Sequence, residues 1–185
     1  MTQSPQTLSE HNRRLVAEWA AACAERVLPL FEVARRGDPR RRAAIARARA
    51  FSRGDADTAV EIRERFSNGG AAREAKTAEA AAAARSAGQA ASVSHMGAHA
   101  LGAASYAIKA VYLASPDGSE IAKAEMRWQL ARMSPEVRSA LRALPAVGED
   151  RSGPLGPGLL ASGQLGTITR ELQASLAQVD PTSPR

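Results

Sequence analysis

The chain has 185 residues, of which 44% are hydrophobic and only 4% aromatic, so we expect a single domain with a core of Ala, Leu, Val and Ile. A single cysteine excludes an intrachain disulfide, and the lack of a leader-like or membrane-spanning apolar stretch predicts a cytoplasmic protein without membrane contact. The formal charge of +6 lies entirely within residues 1–54, which hold 11 arginines and 5 acidic residues.

Helix signals recur along the chain, whereas strand signals are nearly absent. The first helix is predicted to begin after Ser9, a good N-cap, and to be kinked or split at Pro29. The second is predicted over residues 39–53, with Asp38 as its cap and Gly54 as its end. The sequence therefore predicts an all-α fold, a single bundle of about five to seven helices with a Gly/Pro-rich C-terminal tail.

The middle of the chain continues the helical pattern. A short helix is predicted over residues 57–67 and ends at an Asn-Gly-Gly sequence. Residues 71–114 contain no proline and many alanines, which predicts one long helix or two helices joined at Gly88. Two further helices are predicted, over residues 120–133 and 134–144.

A change in composition marks the end of the predicted domain. Residues 145–166 contain six glycines and three prolines, which is typical of a flexible connection. A short helix over residues 167–179 is possible because its apolar residues follow a helical period. The predicted organisation is a disordered start (1–8), a helical domain (9–145) and a flexible tail (146–185).

The positive charge is concentrated in RRGDPRRRAAIARARAFSR, residues 35–53, which has eight arginines and one aspartate. Such a cluster can bind phosphate, nucleic acid or an acidic protein surface. The alternative is a solvated helix face, because arginine outnumbers lysine 22 to 3 in the whole chain and Phe51 is the only aromatic residue of the cluster. Within it, Arg40, Arg41 and Arg42 are candidate partner-binding residues.

Two of the three histidines lie four positions apart in SHMGAHALGAASYA, residues 94–107. His95 and His99 could ligate one zinc ion from a helix face, but Met96 replaces the glutamate of the metalloprotease motif and no third ligand is evident. They are weak metal candidates, and we expect no metal and no other cofactor. On a helical wheel they share a side with Tyr106, so this face is predicted to contact a partner or the next helix of the bundle.

The sequence does not indicate nucleophilic catalysis. Cys23 lies on the apolar stripe of the first helix, which is typical of an inert core thiol. The serines lack the G-x-S-x-G setting, and no glycine-rich loop follows a strand. The chain is therefore predicted not to be an enzyme.

Three segments carry a resemblance through their order and spacing: NRRLVAEWAAACAERVLPLFE, DPRRRAAIARARAFSRG and ARSAGQAASVSHMGAHALGAASYAIKAVY. Over residues 10–145 they resemble the immunity-five-like family, the immunity proteins associated with bacterial polymorphic toxin systems. The resemblance implies a cytoplasmic, all-helical, non-catalytic protein that binds and neutralises a cognate toxin. The positions that match the group's pattern are Trp19, Glu32, Pro39, Arg40, Ile45, Phe51, Gly54, His95, His99, Ala100 and Tyr106.

The chain departs from the family pattern at two places, and its basic charge differs from the acidic charge of many immunity proteins. The family usually has tryptophan where Phe51 stands, and it has a histidine near Gln89 or in the SNGG region that this chain lacks. Immunity proteins against nucleases often present acidic surfaces, whereas this chain is basic. The toxin is therefore expected to offer an acidic or neutral surface, or to contact the neutral half of the chain. A nucleic-acid-binding protein that uses residues 35–53 and a metal-binding protein that uses the histidine pair remain the alternatives.

Overall fold

A computed structural model describes residues 4–55 and 72–178, and these form seven α-helices and two 3-10 helices without a strand. The predicted all-α class is confirmed. The helix predicted over residues 57–67 lies outside the described residues. The α-helices are α1 (Glu10–Ala34), α2 (Arg40–Arg53), α3 (Ala78–Ser92), α4 (His99–Ala114), α5 (Gly118–Ala131), α6 (Pro135–Arg142) and α7 (Gly163–Ala177), and the 3-10 helices are Pro5–Thr7 and Leu159–Ala161.

Helix α4 is the centre of the bundle. Every residue from Ala100 to Ile108 is buried, and the helix packs against α1, α3, α5 and α7. Because most of these residues are alanine, glycine or serine, the neighbouring helices can approach closely on all sides. Tyr106, which the helical wheel places on a polar side, is only 5% exposed for this reason.

The start of α1 and the end of α2 follow the capping signals in the sequence, whereas α2 begins at Arg40 with Pro39, and not the predicted Asp38, as its N-cap. The Ser9 side chain accepts a hydrogen bond from the backbone N–H of Asn12, as expected of an N-cap. Helix α1 is not split at Pro29, which lies on its exposed side, where water can hydrate the carbonyl that the proline leaves without a donor. Helix α2 ends at Gly54, whose φ of 80° is the left-handed conformation that glycine adopts readily.

The alanine-rich region forms two helices, but the prediction that they join at Gly88 is wrong. A six-residue segment after Ser92 separates α3 from α4, and Gly88 lies inside α3. In this segment the N–H of Gly97 donates to the carbonyl of Thr7 at 3.1 Å, and the next N–H donates to the carbonyl of Gln6 at 2.9 Å. The first residues of the chain therefore supply acceptors at the start of α4, where a helix lacks intrahelical partners.

Gln6 connects the first described residues of the chain to the Gly/Pro-rich segment. This residue is buried, and its Nε2 donates to Asp150 Oδ2 and to the carbonyl of Ser152, both at 2.7 Å. Its Oε1 accepts a hydrogen bond from the N–H of Leu155 at 2.9 Å. Three hydrogen bonds from one buried side chain thus connect the 3-10 helix at the start of the chain to the Gly/Pro-rich segment.

The segment after residue 145 packs on the bundle in this structure. The helix expected over residues 167–179 is α7, which begins earlier, at Gly163. The buried leucines of the segment are Leu155, Leu160, Leu165, Leu172 and Leu176. The predicted domain boundaries, with a disordered start and a flexible tail, stay a prediction. In the described ranges, no helix combines the length and the apolar character needed to cross a bilayer.

Candidate partner-binding site

His95, His99 and Tyr106 line one cavity of about 490 Å³, although they do not share a helix. His95 lies in the segment between α3 and α4, His99 is the first residue of α4, and Tyr106 lies two turns further along. Residues of the C-terminal segment, from Gly153 to Leu160, form another wall of this cavity. The structure therefore brings the three predicted residues together by a bend in the chain and not by a common helix face.

His99 is the most constrained member of this group. Its Nδ1 lies 2.7 Å from Gln89 Oε1, and because an amide oxygen can only accept, the histidine donates this hydrogen bond. Gly102 leaves room for the Gln89 side chain, since a Cβ atom at this glycine would lie 2.4 Å from the same oxygen. Burial, with a smaller effect from His95, lowers the pKa of His99 from 6.5 to about 3. His99 is therefore neutral at neutral pH.

Among the described residues, the histidine pair is not part of a larger group of metal-ligating side chains. The two ring centroids lie 5.0 Å apart. Among residues 4–55 and 72–178, no group of three or more His, Cys, Asp or Glu side chains is arranged to hold a metal ion. Cys23 is buried inside α1, and burial raises the pKa of its thiol well above 9.0, which disfavours the reactive thiolate. The arrangement offers ring surface and hydrogen bonds to a partner.

A second cavity, of about 330 Å³, adjoins the first. Gln89, Tyr106 and Leu159 line both cavities. We call the two together the histidine–arginine groove, because arginine side chains line the second cavity. Leu159 is 72% exposed at this junction. The arginines that line the second cavity are Arg41, Arg73 and Arg85.

The three consecutive arginines at the start of α2 have different surroundings. Arg40 and Arg42 form ion pairs, whereas Arg41 is buried and donates to the carbonyl of Ala84 at 3.1 Å. The Arg40 guanidinium also lowers the pKa of the Asp38 carboxyl to about 2.

Ion pairs within the chain neutralise at least five of the eight arginines in residues 35–53. They join Arg35 to Glu74, Arg40 to Asp38 and Glu74, Arg42 to Glu32, Arg49 to Glu18 and Glu25, and Arg53 to Asp55. Because nucleic-acid affinity grows with the number of arginines that can pair with phosphates, this surface suits nucleic acid less well than its composition indicates.

A family model described as "Imm-5 like putative immunity protein" matches residues 6–136, which is more than half of the chain. The chain belongs to this family. The resemblance to the immunity-five-like family is thus confirmed. No curated protein and no solved structure matches the chain at a significant level.

The match to the Imm-5-like family covers part of the histidine–arginine groove. It includes the histidine pair, Tyr106 and the arginines, and it ends before the segment that carries Leu159. The family description is that of an immunity protein, which suggests a protein partner and no catalytic role.

Several groove residues of this Imm-5-like protein are not among the partner-binding residues predicted from the sequence. Arg85 stands alone among alanines in α3, and this isolated charge is a usable signal. Gln89 and Leu159 carry no such signal. Gln89 matters because α4 presents His99 and Gly102 beside it, and Leu159 matters because the C-terminal segment folds back over α3 and α4.

Proposed function

We propose that this Imm-5-like protein binds a cognate bacterial toxin in the cytoplasm and neutralises it without catalysis. The observation that carries the proposal is family membership over residues 6–136. An immunity protein acts by occupying a surface of its toxin, so its function requires a binding surface and no reactive group. The predicted partner is therefore a protein.

The histidine–arginine groove is the surface that we assign to the toxin. Leu159 offers an exposed apolar contact at its centre, beside the rings of His95 and Tyr106. Protein interfaces draw most of their binding energy from a few such residues surrounded by polar groups. Arg73 and Arg85 make this surface basic, which suits a toxin that presents an acidic or neutral face.

A growth assay tests this function. A candidate toxin, chosen from the genes beside this one, is expressed in bacterial cells with and without the protein. We expect the wild-type protein to restore growth, and we expect Leu159→Glu to abolish the rescue because it places a charge in the apolar centre of the contact. Val33→Glu is the matched control, since Val33 is 73% exposed and lines neither cavity of the groove.

The outcomes separate the function from the surface. Failure of the wild-type protein to restore growth contradicts the immunity function. If Leu159→Glu rescues as well as the wild-type protein, the toxin contacts another surface. Circular dichroism of each variant confirms that its helix content is unchanged.

A further inference from the structure

Arg41 is a buried cation whose hydrogen bonds are incomplete. Its side chain is 1% exposed, and only Nη1 has an acceptor, the carbonyl of Ala84 at 3.1 Å. Within the part of the chain that the structure describes, Nε and Nη2 have no hydrogen-bond partner. Buried polar groups are nearly always paired in folded proteins, and an unpaired buried charge is costly. Among the described residues, Nε and Nη2 of Arg41 therefore lack an acceptor.

The unsatisfied atoms define the shape of that acceptor. The Nε–H and Nη2–H bonds lie along one edge of the planar guanidinium and point in nearly the same direction. This edge matches two oxygen atoms of one carboxylate, which can accept both hydrogen bonds in parallel. Nη1 is already bonded to α3, and Arg41 lines the second cavity of the groove, so this cavity is the open space next to the guanidinium.

The rest of the cavity wall favours an anion. Arg73 and Arg85 also line it, and none of the described lining residues is acidic. The Arg85 guanidinium lies 5.9 Å from the centre of the Tyr106 ring. Burial raises the pKa of Tyr106, opposed by Arg85, so the hydroxyl keeps its proton and can donate a hydrogen bond.

We propose that the cavity at Arg41 is a carboxylate-binding site. The carboxylate accepts two parallel hydrogen bonds from Nε and Nη2 of Arg41, while Arg73 and Arg85 add positive charge. A volume of about 330 Å³ accommodates an acidic side chain of a protein or a free small acid, two sources with the same chemistry. This cavity belongs to the groove that we assign to the toxin, but carboxylate binding here can be tested without a toxin.

The test follows the Arg41 Nε–H resonance in proton–nitrogen spectra of the full-length protein. The probes are acetate, the capped peptides acetyl-Gly-Glu-Gly-amide and acetyl-Gly-Gln-Gly-amide, and inorganic phosphate, each at constant ionic strength. We expect acetate or the glutamate peptide to shift this resonance saturably, and we expect no saturable shift with the glutamine peptide. Binding at least tenfold tighter to the glutamate peptide than to acetate identifies a protein side chain as the ligand, and the reverse identifies a free acid.

Variants test whether the shift of the Arg41 Nε–H resonance reports carboxylate binding to Nε and Nη2 of Arg41. Arg41→Lys keeps the positive charge but loses the paired donors, so we expect carboxylate binding, measured by calorimetry, to weaken at least tenfold. Arg42→Lys is the matched control, because Arg42 lies next along α2 and is exposed. Arg85→Gln gives a further measure if Arg41→Lys does not fold, and we expect it to weaken binding several-fold.

Three results would overturn the proposal. The first is the absence of a saturable Arg41 shift with both carboxylate probes. The second is an equal response to the glutamine peptide, and the third is tighter binding of phosphate than of either carboxylate. None of these results contradicts toxin neutralisation, because the growth assay does not use any of these probes.

Discussion

Protonation of His99 makes the stability of the protein depend on pH. The pKa of His99 falls from 6.5 to about 3 on burial, so the unfolded chain takes up the proton first as the pH decreases. The stabilisation is complete above pH 6.5 and is lost progressively between pH 6.5 and about 3. We expect the free energy of unfolding in urea to be lower at pH 5 than at pH 7 by roughly 2 kcal/mol.

Two variants isolate this effect. His99→Gln removes the titrating group, so the difference between pH 7 and pH 5 should shrink. His11→Gln is the control, because His11 is exposed at the start of α1 and should keep the wild-type difference. An unchanged pH difference in His99→Gln would show that another group causes it.

Gly102 sets the contact between α3 and α4 beside the groove. A Cβ atom at this position would lie 2.4 Å from Gln89 Oε1 and 3.2 Å from Leu160 Cδ1. We expect Gly102→Ala to displace Gln89 from His99 and to lower the free energy of unfolding by about 1–3 kcal/mol. Gly158→Ala is the control, since nothing lies within 4 Å of its Cβ position. Equal stability of the two variants would contradict this steric argument.

At the scale of elements, a buried polar network connects α1, α4 and α5. Gln129 Nε2 donates to the carbonyl of Ala104 at 3.3 Å and to Glu125 Oε1 at 3.2 Å, and Glu125 pairs with Arg26 at 2.5 Å. We expect Gln129→Leu to cost about 1–3 kcal/mol of stability, because a buried carboxylate loses a donor. Chemical denaturation measures this, with exposed Gln164→Leu as the control. A cost below that of the control would show that the network does not stabilise the bundle.

Helix positions could be predicted from local signals, but the boundary between α3 and α4 could not. Ser9 caps the start of α1 and Gly54 caps the end of α2, and both residue types are known capping signals. The break before His99 depends on carbonyl groups of Thr7 and Gln6, some ninety residues away in the chain. The helical wheel places His95, His99 and Tyr106 on one helix face, whereas in the structure His95 precedes α4 and the three residues line one cavity.

For the arginine cluster, the charge could be predicted from the sequence, but the ion-pair partners of the arginines could not. Its charge could be counted from the sequence, and the solvated-face interpretation could be weighed against nucleic-acid binding. The acidic partners come from other elements, such as Glu18 on α1 and Glu74 before α3, so the neutralisation depends on tertiary packing. The inward direction of Arg41 likewise follows from the position of α3.

At the scale of the whole molecule, the C-terminal segment completes the bundle in this structure. Composition predicts flexibility over residues 145–166, because six glycines and three prolines are typical of a flexible connection. Removal of residues 146–185 would expose α4 and α6 and take away the partners of Gln6. Since each buried leucine contributes about 1.5–3 kcal/mol, we expect this truncation to lower the melting temperature by more than 10 °C or to prevent folding.

The control for this truncation is a chain of residues 1–178, which keeps every residue that the structure describes. We expect its melting temperature, measured by circular dichroism, to equal that of the full chain. A chain of residues 1–145 that melts at the wild-type temperature would instead support the flexible tail predicted from composition.

The most direct test of toxin binding through the groove is calorimetric titration of the purified protein with an inactive form of the neighbouring toxin. We expect a saturable complex that Leu159→Glu weakens at least tenfold and Val33→Glu weakens less than twofold. The account is contradicted if the wild-type protein does not bind the toxin, or if the two variants bind it equally well.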